Sequence, residues 1–138
     1  MISKAVREFL QENTLGVLGT HRADRGVRQS VVYYALDGQR LLISTESKRG
    51  KTRDVIRERK ASLCVVGRSA PYPSVTLEGP ARVLTSGIGH ATAMVMARIL
   101  EQGTVEPPTE DDLAAADRVI IEIAVDRVYG ANYLPQEP

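Results

Sequence analysis

The chain has one cysteine, one phenylalanine, two histidines and no tryptophan among its 138 residues. A lone thiol, Cys64, excludes an internal disulfide framework and suits a reducing compartment, so a cytoplasmic location is expected. No apolar run approaches the roughly 20 residues needed to cross a bilayer. The mixed-charge stretch 1–13 does not read as a signal peptide, and no membrane partner is expected. His21 and His90 show no metal-ligand spacing, so no metal is expected. The formal net charge is only +1, which argues against nucleic acid as a partner. Nor do the few aromatics form the stacking face, flanked by basic residues, that single strands require.

Catalytic motifs are missing as well. No G-x-S-x-G, H-E-x-x-H or paired C-x-x-C occurs. Cys64 falls in the middle of a strand pattern and reads as a core residue. A protein without its own acid, base or nucleophile usually borrows its chemistry from a cofactor. No residue of this chain is therefore assigned a catalytic role.

What is present is an ordinary globular composition, 43% apolar and 25% charged, sized for one domain over 1–138. The spacing predicts a helix over 2–12 with Ser3 as its cap, then a strand over 15–20. A strand over 27–36 turns at Asp37-Gly38 into an antiparallel return over 39–45. A helix over 48–59, a strand over 61–66 and a proline-containing loop over 67–73 follow. Residues 74–84 alternate cleanly, with Gly79-Pro80 suggesting a bulge or bend. A helix over 88–101, a short acidic helix capped by Thr109 and a last strand through Val119, Ile121, Ile123 and Val125 complete the pattern. About six strands on short links, with peripheral helices, suggest a closed or partly closed antiparallel barrel. Several strands are apolar on both faces, so one face would fill the barrel and the other asks for a partner surface, most simply a second copy.

The sharpest functional signal is the turn after Ile43-Ser44-Thr45. Residues 48–60 carry Lys48, Arg49, Lys51, Arg53, Arg57, Arg59 and Lys60 against only Asp54 and Glu58. Arg49 and Lys51 are expected in the first turn of a helix, where a cation opposes the helix dipole. That placement makes sense if an anion occupies the unpaired N–H groups, so a phosphate site is expected there. Gly50-Lys51-Thr52 imitates the end of a P-loop, but Thr45 stands where that motif needs its first glycine, and the neighbouring strands read as antiparallel. The loop 67–73 and the segment 101–115 are expected near a substrate mouth. Tyr72, in the loop, is a candidate to cover a planar ligand.

Six segments in order carry a family resemblance: Leu15-Gly16-Val17-Leu18, Gln29-Ser30-Val31-Val32-Tyr33, Arg49-Gly50-Lys51-Thr52-Arg53-Asp54, Ala61-Ser62-Leu63, Leu77-Glu78-Gly79-Pro80-Ala81 and Arg127-Val128-Tyr129-Gly130. Together they resemble the split-barrel flavin-binding proteins related to pyridoxamine 5'-phosphate oxidase. The chain is most similar to the small actinobacterial branch that uses the deazaflavin coenzyme F420. The resemblance implies a mainly β split barrel, a homodimer, and two cofactor sites at the dimer interface. It implies a cofactor phosphate held by the basic turn, Lys48, Arg49 and Lys51. It implies a tricyclic ring lined by Gln29, Ser30 and Val31, and a ribityl chain near Ser44 and Thr45. The loop from Tyr72 to Val75 would come from the partner. The implied activity is hydride transfer between reduced F420 and an unsaturated small-molecule acceptor. FMN chemistry on the same fold, or cofactor binding without turnover, are the alternatives.

Overall fold

The segment Val27–Tyr33 (β2) and the segment Ala35–Asp37 (β3) are separated by Tyr34 alone, yet they lie at opposite edges of one sheet. That fact sets the architecture. A sheet whose two edges are one residue apart along the chain must curl until the edges meet. The computed structural model describes residues 2–131 and 134. Its other strands are β1 (Leu15–His21), β4 (Arg40–Glu46), β5 (Lys60–Val66), β6 (Ser74–Leu84), β7 (Arg118–Ala124) and β8 (Arg127–Tyr129). The order is β2-β1-β5-β6-β7-β4-β3, all antiparallel, with β8 added on β6. This is an antiparallel split barrel of α+β class.

The strand β6 belongs to both halves of the barrel. Residues 74–80 pair with β5, and residues 81–84 pair with β7. The change of partner falls at Gly79-Pro80, the pair expected to bend the strand. There the chain crosses β7 closely: a Cβ on Gly79 would stand 1.9 Å from the Ala124 carbonyl oxygen. Only glycine admits that approach.

Alternation along the strands fills the interior with Leu18, Leu41, Ile43, Leu63, Leu77, Ile121 and Ile123. The helix α1 (Lys4–Glu12) adds Val6, Phe9 and Leu10 to this core. Ser3 caps it as expected, its hydroxyl accepting the Val6 N–H at 3.2 Å. Helices α3 (Gly89–Ile99) and α4 (Glu110–Ala115) cover a second apolar cluster built on Ala35, Leu42 and Ile120. The two-sided apolar character of β4 and β7 is therefore satisfied within the chain. The outer faces of β1, β2 and β5 are not covered: Leu15, Val17, Val31, Tyr33 and Val66 all stay exposed.

Three expectations change. The sheet has eight strands, because Tyr34 interrupts the long strand and 127–129 forms an extra pairing. Tyr34 breaks the run because its buried hydroxyl is held by the Leu10 and Asn13 carbonyls at 2.7 and 2.6 Å. The hairpin turns on Gly38 and Gln39, since Asp37 pairs with Arg40 and Gly38 takes φ +61°. Cys64 lies half-buried on the outer face of β5 instead of in the core, because Leu63 and Val65 hold the inward positions.

Candidate cofactor site

The helix α2 (Gly50–Glu58) starts two residues later than its charge pattern suggested. Arg49 is its N-cap residue and gives no side-chain cap, so the first turn begins with Gly50 and Lys51. The turn before it is pinned from below. Thr52 Oγ1 donates to the Glu46 carbonyl at 2.8 Å, and Ser47 N donates to the Asp117 carbonyl at 3.1 Å. The Ser47 hydroxyl also meets the Asp117 carboxylate. The start of β7 is thereby tied to the end of β4.

That tie builds a cleft of about 470 Å³. One wall is polar, with Ser44 from β4, Lys51 from α2 and Arg118 from β7. Arg118 donates to Ser44 Oγ at 2.8 Å. The other wall is apolar, formed by Val31, Val32 and Tyr33 of β2 and by Val95, Met96 and Ile99 of α3. Pro108 and Leu113 close one end, so the segment 101–115 does reach the mouth. Among the described residues no carboxylate lines this cleft.

Burial, followed by the nearby charges of Arg49 and Arg118, pushes the Lys51 ammonium below its ordinary pKa. Four neighbouring cations have partners. Lys48 and Arg49 sit on Glu46 at 3.3 and 3.1 Å, and their hydrogen bonds hold that carboxyl below its ordinary range. Arg28 and Arg57 bind the buried Asp54 at 2.8 and 3.1 Å. Burial raises the Asp54 carboxyl, but hydrogen bonds from Arg28, Thr20 and Arg57 outweigh it, and its pKa lies below the ordinary value.

A second cavity of about 480 Å³ opens on the other side of Val31. It is lined by Leu15, Gly16, Val17, Cys64 and Val66, with Arg68 at the edge. The loop 67–73 reaches it through Gly67 and Arg68, whereas Tyr72 does not line it and stands exposed.

The proposed site residues thus divide into two groups. Val31, Ser44 and Lys51 meet in the cleft, and Val31 is 71% exposed between the two cavities. Gln29 is exposed on the outer face of β2, and Ser30 is half-buried on the opposite face. Lys48 and Arg49 lie beside the cleft, engaged by Glu46. Two side chains are corrected. Thr45 is 4% exposed and Val75 is 0% exposed, because both take inward positions of their strands. Neither side chain is available to a ligand. Arg118, which lines the cleft, and Arg28, which holds α2 through Asp54, were not legible in the sequence. Arg28 had one signal, a charge at an inward-facing strand position; Arg118 had none, since only the β4–β7 pairing brings it to Ser44.

Fold and cleft define a split barrel with a half-polar pocket at its rim. The sequence profile of pyridoxamine 5'-phosphate oxidase matches residues 2–132, and the chain belongs to that family. No curated protein matches it by sequence. Among solved structures it is similar to an F420 reductase, with 25% identity and a TM-score of 0.70 over 89% of this chain and 95% of the other. A conserved hypothetical protein from Mycobacterium tuberculosis shares 20% identity and a TM-score of 0.72, covering 100% of this chain and 92% of that one. A heme storage protein from Vibrio cholerae shares 13% identity and a TM-score of 0.68, covering 94% of each. The last two similarities speak for the fold alone.

Proposed function

We propose that this protein is an oxidoreductase that binds the deazaflavin coenzyme F420, with FMN as the alternative cofactor. The observation that carries this reading is the meeting of Lys51 and Arg118 in a cleft that no carboxylate lines among the described residues. Two cations held together and partly desolvated are unfavourable unless an anion joins them. The cleft sits at the N-terminus of α2, whose free N–H groups favour phosphate. Its apolar wall of Val31, Val32 and Tyr33 suits the flank of a planar ring. When bound, reduced F420 supplies the hydride for an unsaturated small-molecule acceptor. The chain's part is to hold the phosphate, fix the ring and exclude water. The similarity to an F420 reductase supports F420 over FMN. Neither His21 nor His90 lines this cleft, so it offers no histidine ligand to a heme.

The reading includes a homodimer. An outward row crosses β2, β1, β5, β6 and β8 through Val31, Val17, Cys64, Thr76 and Tyr129. Val17, Val31 and Tyr129 in that row are exposed, and the second cavity lies in it. An apolar face of this kind is typical of a protein–protein contact.

The test is a fluorescence titration of the purified protein with F420, FMN, riboflavin and the phosphate-free deazaflavin FO. Micromolar or tighter binding of F420, with FO far weaker, is the expected result. Preference for FMN over F420 moves the protein to the flavin alternative. Binding of none of them overturns the proposal.

A further inference from the structure

The last turn of α3 carries one polar side chain, Arg98, and it reaches to another helix. Its Nη2 donates to the Leu10 carbonyl at 2.8 Å and to the Asn13 carbonyl. Its guanidinium lies over the Tyr34 ring, 5.0 Å from the centroid. The two carbonyls mark the negative end of α1, which has no basic residue in its own last turn. Arg98 therefore caps a helix to which it does not belong. Among the described residues no carboxylate pairs with it, and its buried Nε has no hydrogen-bond partner. Burial pushes the Tyr34 hydroxyl up to about 12, so that group is a neutral phenol and not a counter-ion. A buried donor left unmade costs stability, so stability alone does not account for an arginine here.

The neighbours of Arg98 on α3 show what the tie accomplishes. Val95, Met96 and Ile99 share the apolar wall of the cleft with β2. The two ends of α3 are held unequally. At the first, the Glu110 carboxylate accepts the Gly87 and Gly89 N–H groups at 2.7 and 3.2 Å, and Ile88, Ala93 and Val95 are buried. At the last, Ile99 and Leu100 are 43% and 51% exposed, so apolar packing holds that end weakly and Arg98 supplies the attachment. We propose that Arg98 is a positioning residue for the ring of the bound cofactor. By tying the last turn of α3 to the end of α1, it sets where Met96 and Ile99 stand beside Val31 and Tyr33. This rests on the reading of the cleft as a cofactor site. The role belongs to the ring end of the cleft, so it acts alike on ligands with and without a phosphate.

The test uses Arg98→Met, Arg98→Lys and Tyr34→Phe in the full chain, with dissociation constants for F420 and FO. For a parent that prefers FMN, the pair is FMN and riboflavin. Arg98→Met keeps an apolar stem and removes the donors, and it is expected to weaken both ligands by the same factor, about five- to tenfold. Lys51→Ala, by contrast, should weaken F420 and spare FO. The fluorescence anisotropy of the ring at saturation is the second readout. It should fall in Arg98→Met, whereas a merely structural loss lowers the folded fraction and leaves the anisotropy of the bound ring unchanged. Arg98→Lys keeps a cation for the carbonyls and should recover part of both. If Arg98→Met does not fold, Arg98→Lys decides: a smaller loss shared by both ligands supports the role, and none overturns it. Tyr34→Phe takes a hydroxyl from the same two carbonyls and leaves α3 attached, so both affinities should hold within about twofold. If it weakens them as much as Arg98→Met does, the effect belongs to α1 and the role is overturned. Unchanged affinity and anisotropy in Arg98→Met, while Lys51→Ala loses F420, overturns the role and leaves the cofactor site standing. Loss confined to the phosphate-bearing ligand also overturns it. A parent that binds none of the four ligands removes the cofactor site itself, and the role of Arg98 with it.

Discussion

Arg28 Nε donates to Asp54 Oδ2 at 2.8 Å, and this bond joins the inner face of β2 to the middle of α2. The same buried carboxylate accepts Thr20 Oγ1 at 2.8 Å and Arg57 at 3.1 Å. The Arg28 guanidinium also lies against the first residue of α2, since a Cβ on Gly50 would come within 2.4 Å of its Cζ. One ion pair therefore fixes both where the helix starts and where Lys51 stands. Removing the carboxylate leaves the buried Thr20 hydroxyl unsatisfied and frees two half-exposed guanidiniums from the contact that holds α2. Asp54→Ala is expected to destabilise the fold by about 3 kcal/mol, a fall in melting temperature on the order of 10 °C. Urea unfolding and thermal melts check this, and an unchanged midpoint would contradict the role given to Asp54.

The same carboxylate sets a pH dependence. Its folded pKa lies below the ordinary 3.8, so the unfolded chain binds its proton more readily. The stabilisation is complete above the unfolded value and fades as pH falls through the lower folded value. Unfolding free energies of the parent and Asp54→Asn, measured from about pH 6 down to pH 2, should differ by a constant amount above about pH 5. The gap should close below about pH 4. A gap that widens on acidification would reverse the sign argued here.

Local pattern carried most of the fold. Ser3, the 74–84 alternation and the apolar residues of α1 and β7 each act over a few neighbours, and each took its expected place. What stayed hidden depends on contacts across the chain. Tyr34 breaks a strand because the carbonyls of Leu10 in α1 and of Asn13 at its C-cap capture its hydroxyl, more than 20 residues earlier in the chain. Arg118 joins the site through a pairing 74 residues away from Ser44. Lys51 takes its expected place in the first turn of α2 because that signal, a cation opposing a helix dipole, is local. Arg49 was misplaced because a two-residue shift in the helix start moved it out of the first turn and onto Glu46.

The close approach at Gly79 gives a prediction free of function. An added methyl would meet backbone atoms of Ala124 at 1.9 and 3.0 Å, and neither strand has a flexible side chain there to yield. Gly79→Ala is expected to cost about 3 kcal/mol or more, because β6 must shift where it passes between the two half-sheets. Gly38→Ala is the contrast: a Cβ there meets nothing within 4 Å, and only the φ of +61° opposes it, at about 1 kcal/mol. Denaturant midpoints of the two variants should rank in that order.

Lys51 and Arg49 are two residues apart and should behave very differently. Lys51 faces the cleft and its ammonium has no partner among the described residues, while Arg49 is exposed and paired with Glu46 at 3.1 Å. Lys51→Ala should weaken F420 or FMN by about 10- to 100-fold, the value of a charge-assisted hydrogen bond. Arg49→Ala should change it by less than about fivefold, as for other solvated charges. In the free protein the order reverses. Lys51→Ala removes a cation from an unfavourable place at the start of α2, so the melting temperature should hold or rise. A loss of stability equal to the loss of binding would mean that Lys51 is structural.

The outward apolar row is tested by a charge placed at its end. Val31 is 71% exposed, so an acidic residue there costs the folded monomer little, within about 0.5 kcal/mol. Its neighbour across the strands is Val17, followed by the half-buried Cys64. If that row is covered by a second copy, Val31→Asp buries two unpaired carboxylates in one symmetric contact, and the dimer should dissociate at micromolar concentration. Light scattering on the parent should give twice the mass of the 15.1 kDa chain, and Val31→Asp should give the single chain with an unchanged circular dichroism spectrum. Val31 also lines the cleft, so cofactor affinity alone does not separate the two roles. Val17→Asp does, because Val17 lines the second cavity and not the cleft. A parent that is monomeric, or a Val17→Asp variant that remains a dimer, removes this face from the interface.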